Sequence, residues 1–215
     1  MVRAGPILSA TLSPKRPSKA ELRSGKRRAG NRCPSEPDRN RGRTFGEYDL
    51  RFFGDLGDLR RELLLREQEH GLSRLVAGYA WKWISKKDKD AFDIRIDGVA
   101  LRWNSTQRDW INSPGAIDEV GSIHTVQGYD LTYAGVIIGP DLRYDPAEHR
   151  IVFDRANYHD KKGRENNPKL GLRYSDEDLL AYVRNIYTVL LTRGIRGTYV
   201  YVCDAALRDH LAPYF

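Results

Sequence analysis

A chain of 215 residues, 40% of them hydrophobic, is long enough for one domain with a true core, or one domain plus a tail. Its formal charge of +7 is unevenly spread: residues 1–44 hold 12 of the 36 Lys/Arg against three acids, and residues 45–215 sum to −2, so the basic balance does not mark the rest of the chain as a nucleic-acid binder. No run of about 18 apolar residues exists, which argues against a membrane partner and a transmembrane helix, and Cys33 and Cys203 give neither a disulfide framework nor a metal-ligand spacing, which fits a reducing, cytoplasmic setting.

Residues 1–44 hold five of the ten prolines and almost no aromatics, so they are expected to be a disordered basic tail. Order is expected from Phe45. "YDLRFF" (48–53) alternates like a strand. "GDLRRELLLREQEHG" (57–71) spaces Leu59, Leu63 and Leu64 as a helix and stops at Gly71. "SRLVAGYAW" (73–81) reads as a buried strand entering a loop, and "FDIRIDGVALRW" (92–103) as a hairpin turning at Asp97-Gly98. "EVGSI" (119–123), "AGVIIG" (134–139) and "RIVFD" (150–154) are further strands, and 159–171 reads as a polar, flexible loop. Ser175 and Asp178 open a helix with a capping box, and Leu179, Val183, Ile186 and Leu190 share its apolar face. "GTYVYVCD" (197–204) is a strand and 205–211 a closing helix. Strands alternate with helices, so the fold class is α/β with a mostly parallel sheet.

Two loops carry candidate chemistry. The first is His124-Thr125-Val126-Gln127-Gly128, set between a short strand and a buried one. The second is Leu191-Thr192-Arg193-Gly194, where the long helix gives way to the last strand. Ligands of open α/β sheets sit at strand ends near such loops, and an Arg there offers a phosphate a fixed fork of donors. On spacing alone, Arg193 also reads as a cation placed at a helix C-terminus by the dipole, and His124 and Gln127 as turn chemistry. Trp81, Trp83, Trp103 and Trp110 offer stacking faces to bases or serve the core. Asp176, Glu177 and Asp178 read as complements to a helix N-terminus rather than as a metal site.

Taken together and in this order, "SIHTVQGYDLTYAGVIIG" resembles motif V of superfamily 1 helicases and "IYTVLLTRGIRGTYVYV" resembles motif VI. With "SRLVAGYAWKW", "DIRI", "RWN" and "GVIIGPDL", the stretch after about Tyr48 is similar to the Schlafen group 3-like DNA/RNA helicase domain family. The resemblance implies that residues 45–215 form the second, C-terminal RecA-like domain of a P-loop ATPase, with ATP and Mg²⁺ as cofactors and DNA or RNA as partner. It implies that Arg193 is the arginine finger at the γ-phosphate. It places Gln127, Gly128 and Asp130 at the nucleotide and His124 and Thr125 at the nucleic-acid backbone; Asp130 stands where that motif often has Glu. Arg74, in the motif IV region, is a second γ-phosphate candidate.

A motor of this kind needs a Walker A loop, G-x-x-x-x-G-K-[ST]. "SGKRRAG" (24–30) contains Gly-Lys, but Arg27 stands where Ser or Thr is required and Ala20 where the first Gly belongs. No apolar strand ending in Asp-Glu precedes residue 73. The chain is therefore expected to hydrolyse no ATP by itself. Three readings stay open: a truncated piece of a longer helicase-like ATP hydrolase, one half of a split protein that pairs with a separate first RecA-like domain, or a stand-alone, non-catalytic module that binds nucleic acid or protein.

Overall fold

The structure, a computed structural model, describes residues 40–164 and 173–215. Ten strands and four α-helices follow one another: β1 (Asn40–Phe45), β2 (Tyr48–Phe53), α1 (Leu56–His70), β3 (Ser73–Ala77), β4 (Ile94–Ile96), β5 (Val99–Trp103), β6 (Glu119–Ser122), β7 (Leu131–Ile138), β8 (Leu142–Asp145), β9 (Arg150–Phe153), α2 (Lys161–Arg164), α3 (Asp176–Leu191), β10 (Gly194–Val202) and α4 (Ala205–Leu211). Eight strands make one sheet in the order β1-β2-β10-β7-β3-β6-β5-β4. The six from β2 to β5 run parallel, and β1 and β4 close the two edges antiparallel. The class is α/β with a mostly parallel sheet, as in RecA-like folds.

Successive side chains of the sheet feed two cores. Leu75, Ala77, Ile137 and Tyr199 turn toward Leu56, Leu59 and Leu63 of α1. Val76, Val136, Ile138 and Val200 turn toward Val183, Ile186 and Leu190 of α3 and Leu207 and Leu211 of α4. At Gly135 a Cβ would meet Leu59, Leu63 and Leu75 side-chain carbons at 2.9–3.0 Å, so glycine lets α1 lie close on β7. The capping box of α3 forms as its sequence suggests: the Asp178 amide donates to Ser175 Oγ, and the Asp178 carboxylate accepts from the Ser175 amide. Asp97 and Gly98 both take positive φ, 48° and 82°, which the tight β4–β5 turn requires.

Three expectations change. The boundary at 44/45 falls inside β1, because residues 40–44 pair through their backbones with β2, from Asn40↔Phe53 to Phe45↔Tyr48. A backbone ladder needs no apolar side chains, so composition does not register it. Residues 1–39 lie outside the described part. The strand at 150–154 does not join the main sheet; it pairs with β8, which periodicity did not mark, in a separate hairpin. That hairpin is held to α4 by the Tyr144 amide donating to Asp204 at 3.2 Å and by Tyr144 stacked on His210 at 4.0 Å. Of the loop expected over 159–171, residues 161–164 form α2, and 165–172 lie outside the described residues.

Candidate nucleic-acid interface

The parallel strands β3, β5 and β6 end side by side. Beyond their carboxyl ends lies a cavity of about 990 Å³, where open α/β sheets bind ligands. Its polar floor comes from strand ends. Ser122 closes β6, Asn104 follows β5, and Thr125 sits in the turn after β6; all three line the cavity and are almost fully buried. The Thr125 hydroxyl donates to Ser122 O at 2.8 Å and accepts from Ser122 N at 2.7 Å, which winds the chain into a tight turn. His124 then stands exposed at the rim. Its ring tilts against Tyr79 at 5.6 Å between centroids, and its Nε2 lies 3.5 Å from Asp160. Burial raises the Tyr79 hydroxyl above the usual tyrosine range, so it stays a neutral hydrogen-bonding group.

The other wall is the long loop between β3 and β4, which carries Trp81, Lys82, Trp83 and Lys86. The buried Asp93 fixes it: its carboxylate accepts from Ile84 N at 2.6 Å, Ser85 N at 2.8 Å, Ser85 Oγ at 2.5 Å and Trp103 N at 2.9 Å. Charge-assisted bonds of this kind are the strong ones. The third wall is His159, Asp160 and Lys161. The His159 amide donates to Tyr79 O at 2.7 Å and pins that segment to the exit of β3.

The residues singled out from the sequence separate into two groups. His124 and Thr125 lie at the cavity. Arg193 and Asp130 lie at the opposite, amino-terminal edge of the sheet, where β7 and β10 begin side by side at Leu131 and Gly194. The registers measure the separation: Ala77 pairs with both Ser122 and Ile137, and six residues of β7 separate Ile137 from Leu131, roughly 20 Å of strand. Residues 123–130 cross that distance in one pass. Val126 is buried in the sheet-α3 core, and Gln127, Gly128 and Asp130 are exposed, Gly128 with a φ of +82°.

At that edge the Leu131 amide donates to Arg193 O at 2.8 Å. The Arg193 guanidinium donates to Val189 O at 3.2 Å and Tyr129 O at 3.3 Å, with Asp130 at 3.7 Å. The contact with Val189 O is the C-terminal helix contact that spacing suggested, and the contacts with Tyr129 and Asp130 tie α3 to the end of the crossover. Arg74 is committed elsewhere. It is 6% exposed and its three guanidinium nitrogens reach Ile111 O, Ser73 O and Glu67 at 2.6–2.9 Å, fastening the turn at Trp110 to the start of β3.

Arg193 offers a partly exposed guanidinium, while among the described residues no three or more His, Cys, Asp or Glu side chains gather as a metal site. Spacing did not reveal Asp93, Asn104 or Asp160 as site residues, since only the strand order brings these residues beside His124. The described residues contain no helix long and apolar enough to cross a membrane.

No solved structure matches the chain. An uncharacterized protein of Saccharomyces cerevisiae, YPL245W, is 33% identical over 168 residues, which are 76% of this chain and 36% of the relative, so the chain spans about a third of that protein's length. The family described as Schlafen group 3, DNA/RNA helicase domain matches residues 32–204. With a mostly parallel sheet that sets the "HTVQG" loop at one edge and the "LTRG" loop at the other, the chain belongs to the Schlafen group 3 DNA/RNA helicase domain family.

Proposed function

We propose that this chain supplies one side of the ATP and nucleic-acid cleft of a helicase-like ATPase. His124, with Thr125 winding the turn that presents it, meets a DNA or RNA strand at the carboxyl edge of the sheet. Arg193, with Gln127, Gly128 and Asp130 beside it, meets the γ-phosphate at the amino edge. The observation that supports this reading is the crossover of residues 123–130. It starts in the cavity and ends in hydrogen bonds with Arg193, so a displacement at either edge is felt at the other through eight residues anchored by the buried Val126. When ATP is bound, the guanidinium supplies positive charge where negative charge develops during phosphoryl transfer. Arg74, held by three buried hydrogen bonds and the ion pair with Glu67, serves the fold in this reading.

These 215 residues carry no Walker A loop. The β-phosphate, Mg²⁺ and adenine therefore need another domain, either elsewhere on the same polypeptide or on a separate first RecA-like chain. A second reading, a binding module without turnover, draws on the cavity itself, whose walls all come from this one domain.

The test has two arms. In about 0.3 M salt, where exposed charges are largely screened, the full chain is titrated into a fluorescent single strand. His124→Ala is expected to weaken binding several-fold and Arg193→Ala to leave it unchanged. Equal affinity of wild type and His124→Ala overturns the cavity as the track. In an assembly that includes a Walker A domain, Arg193→Ala is expected to lower turnover by about 10³ or more with ATP binding kept. Undiminished turnover overturns the finger assignment.

A further inference from the structure

The four tryptophans have different fates. Trp103 and Trp110 are 1% and 0% exposed and belong to the two cores. Trp81 and Trp83 are only partly buried, and both line the cavity at the carboxyl ends of β3, β5 and β6. Trp81 and Trp83 each pack part of the ring against the core beside α1 and leave the remainder on the cavity, a large flat apolar surface that another ring can cover. The loop is also tied down beside them. Asp93 receives four hydrogen bonds from residues 84, 85 and 103, and Trp81 leans on the buried Trp103 at 6.3 Å between ring centroids.

The charge beside the rings is positive. Lys82, Lys86 and Lys161 line the same cavity, Lys86 Nζ lies 5.4 Å from the Trp83 ring centroid, and Asp160, the cavity's acid, faces His124. Aromatic faces with interleaved lysines are the chemistry that holds unpaired bases and their phosphates. A duplex hides its base faces in its own stack and presents mainly phosphates, so indoles recessed in a cavity have little to meet there. We propose that Trp81 and Trp83 form a base-stacking wall for single-stranded nucleic acid, with Lys82, Lys86 and Lys161 contacting the adjoining phosphates and Asp93 acting as the positioning residue. The proposal rests on the nucleic-acid reading of this cavity and adds to it the state of the strand and the residues that take its bases.

The experiment compares the full chain with two fluorescent strands of about 12 nucleotides, one of thymidylates and one abasic with the same phosphates, in about 0.3 M salt so that the basic N-terminal segment contributes little. Wild type is expected to bind the thymidylate strand at least about fivefold more tightly than the abasic strand, the factor set by stacking one base. Trp81→Ala and Trp83→Ala are expected to shrink that ratio toward one, and the matching Phe variants to restore part of it. A purely structural role for the tryptophans predicts weaker binding of both strands with the ratio unchanged.

A wild-type chain that binds both strands equally overturns the stacking wall and leaves the track intact. A chain that binds neither strand overturns the nucleic-acid reading and this proposal with it. Because the decisive ratio is measured on wild type, failure of an alanine variant to fold does not blunt the test.

Discussion

At the scale of single residues, buried carboxylates follow their partners. Asp93 has four donors and holds a loop. Asp141, in the turn between β7 and β8, is wholly buried, and its Oδ1 accepts from Tyr187 Oη at 2.7 Å. Burial raises the Asp141 carboxyl to about 7, against the opposing hydrogen bond from Tyr187. The unfolded chain has the ordinary value of 3.8, so the folded state binds this proton more tightly. Its favourable contribution is therefore complete below the unfolded value and is lost as pH rises toward 7. Between about pH 5.5 and about pH 8 the loss amounts to about 2 kcal/mol. Urea unfolding at the two pH values should show that slope in wild type and a flatter one in Asp141→Asn; identical slopes would count against Asp141 as its source. Cys203, close by, has its thiol pushed up to about 12, mainly by burial, so it behaves as a packing residue and not as a nucleophile.

At the scale of elements, a glycine lets a neighbouring element pack close on a strand. Gly121 in β6 leaves room for Trp110, whose ring carbon would lie 2.3 Å from a Cβ at that position. The Trp110 turn is in turn held by Arg74 through Ile111 O, and the Trp110 indole N–H donates to Glu119 at 2.7 Å. Gly121→Ala therefore has to displace a ring fixed on two sides. It is expected to destabilise the chain by about 1–3 kcal/mol, read from the urea midpoint. Because β6 leads directly into Thr125 and His124, the same variant should also weaken single-strand binding. A stable variant with intact binding would show that the turn can re-pack without moving the loop.

At the scale of the whole molecule, the sheet works as a spacer. Its parallel strands give one edge to His124 and the tryptophan loop and the other to Arg193 and Asp130, roughly 20 Å apart along β7. One edge holds a formed cavity. The other presents the Arg193 guanidinium with Asp130 at 3.7 Å, and among the described residues no three or more His, Cys, Asp or Glu side chains gather as a metal site. In the proposed reading the Walker A loop that these 215 residues lack comes from elsewhere, so the isolated chain with Mg²⁺ and ATP is expected to release phosphate at the no-enzyme rate, with or without a single strand present. Strand-stimulated release by the purified 215 residues would mean that they hold a nucleotide cradle of a kind other than a Walker A loop.

Local patterns along the chain were enough to specify α1, α3 and α4, the Asp97-Gly98 turn, the capping box and the α/β class, because caps, helical periodicity and turn glycines act within a few residues of one another. The two loops that identify the family were legible for the same reason: each is continuous in sequence. Strand order was not legible, since pairing depends on contacts between segments far apart in the chain. That order places Asn104, Asp160 and the tryptophan loop around His124 and separates His124 from Arg193. Backbone pairing likewise drew residues 40–44 into β1 despite a composition that suggested a tail. The partial burial of Trp81 and Trp83 and the full burial of Trp103 and Trp110 follow from the same cause, for a tryptophan's neighbours are chosen by the packing of the sheet and not by the residues beside it in sequence.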